Sequence, residues 1–302
     1  MKIQFWGVHG SIPTPSTAAF VTSRYGGNTT CVSVRIPGCT LILDGGSGLR
    51  TLGLALAREM PVHVTFFFSH VHWDHIQGFP FFIPGFVPGN QFDLYSPKLL
   101  RSPSPLVGDG RVEGGTLLER SLRGQQDVLN FPVQLSDMAA KMTFHEIDDN
   151  QTVTLQGSES TLTITSGALH HPGGCFGYRI EEQRGEEKRV FAYCTDTEHF
   201  PENNPAIQKL AQDADLLFYD AQYTEEEYLG RVGMPKRGWG HSTWVRGIME
   251  ARAAKAKHLL LTHHDPLHDD WAVARIENDA RREGLKFNLN VSAAYEGLEL
   301  IL

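Results

Sequence analysis

With 302 residues, 41% of them hydrophobic and 21% charged, the chain has the composition of a soluble globular protein and the length of one large domain or two small ones. Its formal net charge of −8 argues against a broad nucleic-acid-binding face, although a metal site can still draw a small anion locally. Cys31, Cys39, Cys175 and Cys194 form no CxxC pair, the N-terminus lacks a signal peptide's apolar core, and no run approaches membrane-spanning length, so a cytoplasmic protein with reduced thiols is expected.

Residues 2–8 alternate as a first strand, and the turn at 26–30 leads into a second at 31–36. A third, 41–44, ends at Asp44 before Gly45-Gly46-Ser47-Gly48. This turn lacks both the dinucleotide fingerprint and the Lys of a P-loop, so close backbone approach is favoured over a phosphate cradle. A helix is expected over 49–58. The apolar run 62–68, rich in β-branched and aromatic residues, reads as a buried strand. It feeds Ser69-His70-Val71-His72-Trp73-Asp74-His75. Three imidazoles and a carboxylate within six positions suit zinc or a similar first-row ion. One short loop cannot wrap all four side chains around one ion. His70 and His72 are therefore expected to serve one metal, and Asp74 and His75 a second, with further ligands downstream.

The apolar stretch 79–86 reads as packing rather than as a pocket wall. Residues 101–140 carry loop signals and a short helix near 115–123, a candidate lid or subunit contact. Strands at 152–155 and 162–165 lead to His170-His171-Pro172. Strand 190–195 ends at Asp196, for which a carboxylate bridging two metals is a stronger reading than a turn former. A helix over 205–213 has Asn204 as cap and Pro205 in its first position. Strand 215–220 follows. Gly238-Trp239-Gly240-His241-Ser242-Thr243 then precedes a helix over 244–255, with Ser242 as the expected cap. Strand 257–262 delivers His263-His264, a helix over 269–283 is expected to stop at Gly284, and strands near 287–291 and 298–302 finish the chain.

The His-x-His-x-Asp-His arrangement behind a strand resembles the metallo-β-lactamase superfamily. With Gly240-His241-Ser242-Thr243 it looks like the phosphodiesterase branch, which includes the tRNA 3′-processing endonuclease tRNase Z and the small cyclic-phosphate phosphodiesterases. The resemblance implies an α/β fold, the αβ/βα four-layer sandwich of two mixed β-sheets flanked by helices. It covers a single domain over 1–302, with a lid-like or interface insertion around 101–140. By the family's pattern Asp44 supports the metal loop, His171 fits the next ligand position better than His170, and His263 is the last ligand. One zinc is then assigned to His70, His72, His171 and Asp196, and a second to Asp74, His75, Asp196 and His263, with manganese or another first-row ion as an alternative. The family places a proton-transferring His at His241, and Asp220 falls where its acidic partner stands, although tRNase Z has Glu there. Asp74, His241 and Asp220 are the candidate catalytic residues.

The implied function is hydrolysis of a small phosphodiester, with a cyclic nucleotide as the specific choice, by in-line attack of a metal-bridging hydroxide. The runner-up is tRNA 3′ processing, weakened by the net negative charge and by the lack, in 101–140, of a Lys/Arg-rich, Gly/Pro-rich arm. A non-catalytic regulator that binds cyclic nucleotides is the non-enzymatic alternative. Trp239, Phe79 or Tyr223 could stack on a base, with packing favoured for each. His264 and His268 stand between substrate contact and a surface position, and Glu198 and His199 between substrate contact and support of the ligands. A homodimer is left open, as relatives of this kind are often dimers.

Overall fold

The computed structural model describes residues 1–98 and 115–302. Strand β1 (Lys2–Gly7) alternates buried and half-buried side chains. It is followed by β2 (Cys31–Ile36), β3 (Cys39–Leu43), β4 (His63–Phe67), β5 (Gln91–Pro97) and β6 (Lys141–Ile147). A second set comprises β7 (Thr152–Gln156), β8 (Thr161–Leu169), β9 (Cys175–Arg184), β10 (Glu187–Cys194), β11 (Leu216–Asp220), β12 (His258–Thr262) and β13 (Asn290–Ala293). β14 (Glu299–Ile301) returns to pair with β1.

The strands form two seven-stranded sheets, ordered β14-β1-β2-β3-β4-β5-β6 and β13-β12-β11-β10-β9-β8-β7. Each is half parallel. In the first sheet β3 to β6 run parallel, and in the second β10 to β13 do. Parallel strands need to be covered on both faces, and β11 is accordingly buried at every residue.

Between the sheets lies a core that includes Phe5, Val34, Phe67, Tyr178, Tyr193, Phe218 and Leu260. The outer face of the first sheet is covered by α1 (Gly48–Leu56), the short α2 (Trp73–Ile76) and α3 (Leu117–Gln125). α4 (Pro205–Ala211), the short α5 (Glu225–Tyr228), α6 (Trp244–Ala253) and α7 (Asp270–Leu285) lie on the side of the second sheet, where α4, α6 and α7 close the other outer core. The result is the expected four-layer sandwich. Among the described residues no helix is long and apolar enough to cross a membrane, and all four cysteines are free.

Several local expectations change. β5 and β6 are not predicted from the sequence, because one precedes and the other follows the stretch whose loop signals hide the period. Of the 101–140 stretch, 101–114 lie outside the described residues. In the remainder, Leu118 and Leu122 of α3 are buried against the first sheet. Gly284 is inside α7 rather than beyond it, since a side chain there would meet Val291 Cγ2 at 2.6 Å. Phe79 and Phe82 are fully buried, as packing requires, whereas Phe81 is half exposed.

The cap of α6 also moves by one position. Thr243, not Ser242, accepts from the Arg246 amide at 3.3 Å. Ser242 Oγ instead sits 3.0 Å from both the His199 ring and the Tyr219 hydroxyl. Thr243→Ala is therefore expected to lower the unfolding free energy by about 1 kcal/mol. A urea midpoint unchanged from the parent protein would show that the cap is carried elsewhere.

Candidate metal centre and active site

The candidate residues converge on one edge of the sandwich because they follow the carboxyl ends of parallel strands. β3 leads to Asp44, β4 to the 70–75 segment, β10 to Asp196, β11 ends on Asp220 and β12 leads to His263. Open α/β sheets place ligands at such ends. His171 comes from the β8–β9 turn and His241 from the loop before α6.

Two donor groups result. His70, His72 and His171 form one; Asp74, His75, Asp196 and His263 form the other, and within each group the ligand atoms lie within 4.8 Å of one another. Asp196 stands between them. Its Oδ2 is 3.6 Å from His70 Nε2, 3.9 Å from His171 Nε2 and 3.3 Å from His75 Nε2, while its Oδ1 is 3.1 Å from His263 Nε2. Asp74 Oδ2 lies 3.4 Å from His75 Nε2 and 3.3 Å from His263 Nε2. His72 Nδ1 and His171 Nε2 face each other at 3.1 Å.

These residues fit metal ions on three counts. The Nε2 atoms of His70, His75 and His263 are buried without a hydrogen-bond partner, and such orphans cost about 1–3 kcal/mol each unless something else engages them. Donors bound at about 2.0–2.1 Å to one tetrahedral zinc stand about 3.4 Å apart, which matches the spacings here. Finally, the buried Asp74 and Asp196 carboxylates pair with no Lys or Arg among the described residues, so their charge is left to the facing histidines or to a bound cation.

The electrostatics of the two groups differ. Burial, helped by neighbouring imidazoles, holds His70 well below the ordinary histidine value and brings His171 to about 4, leaving neutral rings with free lone pairs. Burial also lowers His75 and His263. The carboxylates of Asp196 and Asp74 outweigh it, placing His75 well above its usual value and His263 at about 10. Burial disfavours the charged forms of Asp74 and Asp196, yet the facing histidines hold both below the usual carboxylate range.

Supporting residues aim the rings. Asp44 accepts from the Ser69 amide at 2.7 Å and from Ser69 Oγ, His75 Nδ1 and the Tyr193 hydroxyl at 2.8, 2.8 and 2.6 Å. His171 Nδ1 donates to the Gly240 carbonyl at 2.8 Å, and His263 Nδ1 to Gln222 Oε1 at 3.1 Å. In each case the bond fixes the tautomer and turns Nε2 toward the donor group. Tyr193 and Gln222 are absent from the sequence reading, since one reads as core and the other as an ordinary loop residue.

His241 Nδ1 lies 2.9 Å from Asp220 Oδ2. A carboxylate only accepts, so the proton is on Nδ1 and Nε2 is the nitrogen left for a substrate. The same ring falls within both the His171–Asp196 and the Asp220–His263 groupings and stacks on His263 at 4.7 Å. The shorter Asp220 thus reaches its histidine.

The ambiguous residues now have places. His171 joins the donors, while His170 is exposed against Phe200. His264 is not at the surface: it is buried and donates to the Ala294 carbonyl at 2.9 Å. His268, equally buried, pairs with Glu227 at 2.8 Å. Glu198 accepts from Tyr228 and from the amides of Gly238 and Gly240, holding the loop before His241. Tyr223 is buried beside His241, whereas Trp239 is 46% exposed.

Comparison with known proteins agrees with this architecture. A family model described as a beta-lactamase superfamily domain matches residues 118–264. A ribonuclease Z of Acaryochloris marina is 24% identical over 317 aligned positions, spanning 88% of this chain and 86% of that protein. The metallo-β-lactamase fold protein YhfI of Bacillus subtilis superposes with a TM-score of 0.64 at 18% identity, covering 99% of this chain and 98% of its own. The short form of human tRNase Z gives 0.62 at 17% identity, covering 100% and 99%. At these identities the structural likeness shows the fold. Together with the strand-end motifs, these matches support the resemblance of the chain to the metallo-β-lactamase superfamily.

Proposed function

We propose that the chain is a metal-dependent phosphodiesterase, one hydrolase domain over 1–302, acting on a small phosphodiester for which a cyclic nucleotide is the specific choice. The observation that carries this reading is the Asp220–His241 pair standing against two adjoining groups of metal donors. His70, His72, His171 and Asp196 would hold one ion, and Asp74, His75, Asp196 and His263 the other, with zinc as the first expectation and manganese as an alternative. Bound there, two divalent ions acidify water and neutralise phosphate oxygens.

The chain's own residues do the rest. Asp196 and Asp74 bring negative charge that ties the two groups together. Asp220 keeps the His241 proton on Nδ1 and steadies the ring, so that Nε2, when protonated, can hand a proton to a departing alkoxide. Alkoxides are poor leaving groups, and an acid at that atom is what a diester needs more than an anhydride does. Asp44, Gln222 and the Gly240 carbonyl limit how far the ligating rings can turn.

A second reading is tRNA 3′ processing, favoured by the ribonuclease Z relative. The net charge of −8 supports a small substrate instead, because binding a polyanion at many phosphates requires a cationic face. Bis-p-nitrophenyl phosphate, 2′,3′- and 3′,5′-cyclic nucleotides and a precursor tRNA, offered to the same preparation, separate the readings. Preference for a cyclic nucleotide supports ours, and preference for the tRNA replaces it.

Metal analysis of the purified protein is expected to give about two divalent ions per chain. Their removal by a chelator should abolish turnover and lower the melting temperature, because ligands that bind only the folded state stabilise it. An undiminished rate after complete chelation would exclude a metal-dependent reaction. His241→Ala should keep the metal content and lose about 10²–10⁴-fold in kcat. Equal turnover of alkyl and aryl diesters by the variant and the parent would remove His241 from the mechanism.

A further inference from the structure

We propose that Trp239, held from one side by Lys236, is a stacking platform for the base of the nucleotide whose ribose oxygen leaves beside His241. This rests on the phosphodiesterase reading and extends it to the part of the substrate outside the phosphate.

The loop from α5 to α6 is built to present these two residues. It turns through Gly230, Gly233, Gly238 and Gly240, all with positive φ. It is not left loose. The buried Glu198 carboxylate accepts from the Gly238 amide at 2.6 Å, the Gly240 amide at 3.0 Å and the Tyr228 hydroxyl at 2.8 Å. The Lys236 and Trp239 amides donate to the Tyr228 and Lys236 carbonyls, both at 3.1 Å. Trp239 is thereby fixed between two glycines whose amides are pinned by one buried carboxylate, two residues before the proposed acid.

The side chains complete the case. Lys236 Nζ lies 4.2 Å from the centre of the Trp239 ring and 5.5 Å from that of Tyr223. Tyr223 is in turn 6.1 Å from His241, centre to centre. The ammonium therefore links the indole to the wall of the active site. Among the described residues Lys236 makes no ion pair with a carboxylate, so its charge is directed to the rings. A large aromatic side chain that is 46% exposed, on a loop so heavily anchored, has given up burial that a looser loop would allow. One face carries the ammonium and the exposed remainder of the ring is available to a base. Because the acid at His241 must sit at the leaving oxygen, a base carried by the same ribose reaches toward this loop. Stacking tolerates any base, so the platform contributes affinity without selecting a sequence.

The test is calorimetric titration of the metal-loaded protein with adenosine 5′-monophosphate, ribose 5-phosphate and inorganic phosphate. Adenosine monophosphate should bind more tightly than ribose phosphate. Trp239→Ala should weaken the nucleotide by about 10-fold or more while leaving inorganic phosphate unchanged, and Trp239→Phe should keep most of the preference. Lys236→Met should weaken the nucleotide by about 2- to 5-fold, with Lys236→Arg restoring it. Equal nucleotide affinity in Trp239→Ala and parent overturns the platform, even where diesters are still cleaved. Failure of the parent to bind any phosphate or cleave any diester overturns instead the phosphodiesterase reading on which it rests.

Discussion

The four hydrogen bonds to Asp44 hold the two halves of the site in register. Asp44 follows β3, its Ser69 partner follows β4, and the Tyr193 hydroxyl reaches it from β10 in the other sheet. One buried carboxylate thus ties both sheets together at the edge where their strands deliver the metal donors. Its remaining contact, to His75 Nδ1, turns that ring's Nε2 toward Asp74 and Asp196. A buried carboxylate with fewer donors would be a liability, and with four it becomes the rigid reference for the centre. Tyr178 adds a second tie across the core, donating to the Phe68 carbonyl at 2.6 Å just before the metal loop.

The backbone around this carboxylate is strained at the candidate metal donors. Asp44, Asp196 and His263 adopt positive φ values of 58°, 50° and 60°, each directly or shortly after a strand. A left-handed non-glycine residue costs of order 1–3 kcal/mol and persists where its surroundings over-determine it. Here the sharp turn out of each strand is what sends the side chain into the centre rather than along the sheet. Two glycines make room for the result. A side chain at Gly10 would sit 2.2 Å from the His263 ring, and one at Gly240 the same distance from His171 Nδ1. Glycine at those positions is a condition of close approach and not merely of a turn.

The pattern 70–75 is legible in the sequence because its candidate donors are local and lie next to a strand whose apolar run cannot be mistaken. Asp196, Asp220 and His263 are legible for the same reason, each marking a carboxyl end of a buried strand. What depends on contacts between distant segments is not legible. Gln222 acts by meeting His263, 41 residues on, with nothing in its own neighbourhood to signal it, and Glu198, left open between two roles in the sequence, is settled by its bond to the Gly240 amide, 42 residues on. Ser242 and Thr243 are both plausible caps by residue type, and only the orientation of the helix start decides between them. His264 and His268 stand open in the sequence between substrate contact and a surface position, yet His264 is buried where it bridges to His9, and a carboxylate from α5 claims His268.

The overall charge and the local charge pull in opposite directions. An anionic chain repels an anionic diester at long range, and Asp74, Asp196 and Asp220 would repel it most strongly at the site itself. Divalent ions held as proposed by Asp74 and Asp196 would offset those carboxylates and draw phosphate to the loaded centre. For the small phosphodiester proposed above, specificity for what is attached to the phosphate would come from contacts at the rim of the centre. Trp239, with Lys236 against its ring, is placed to provide one.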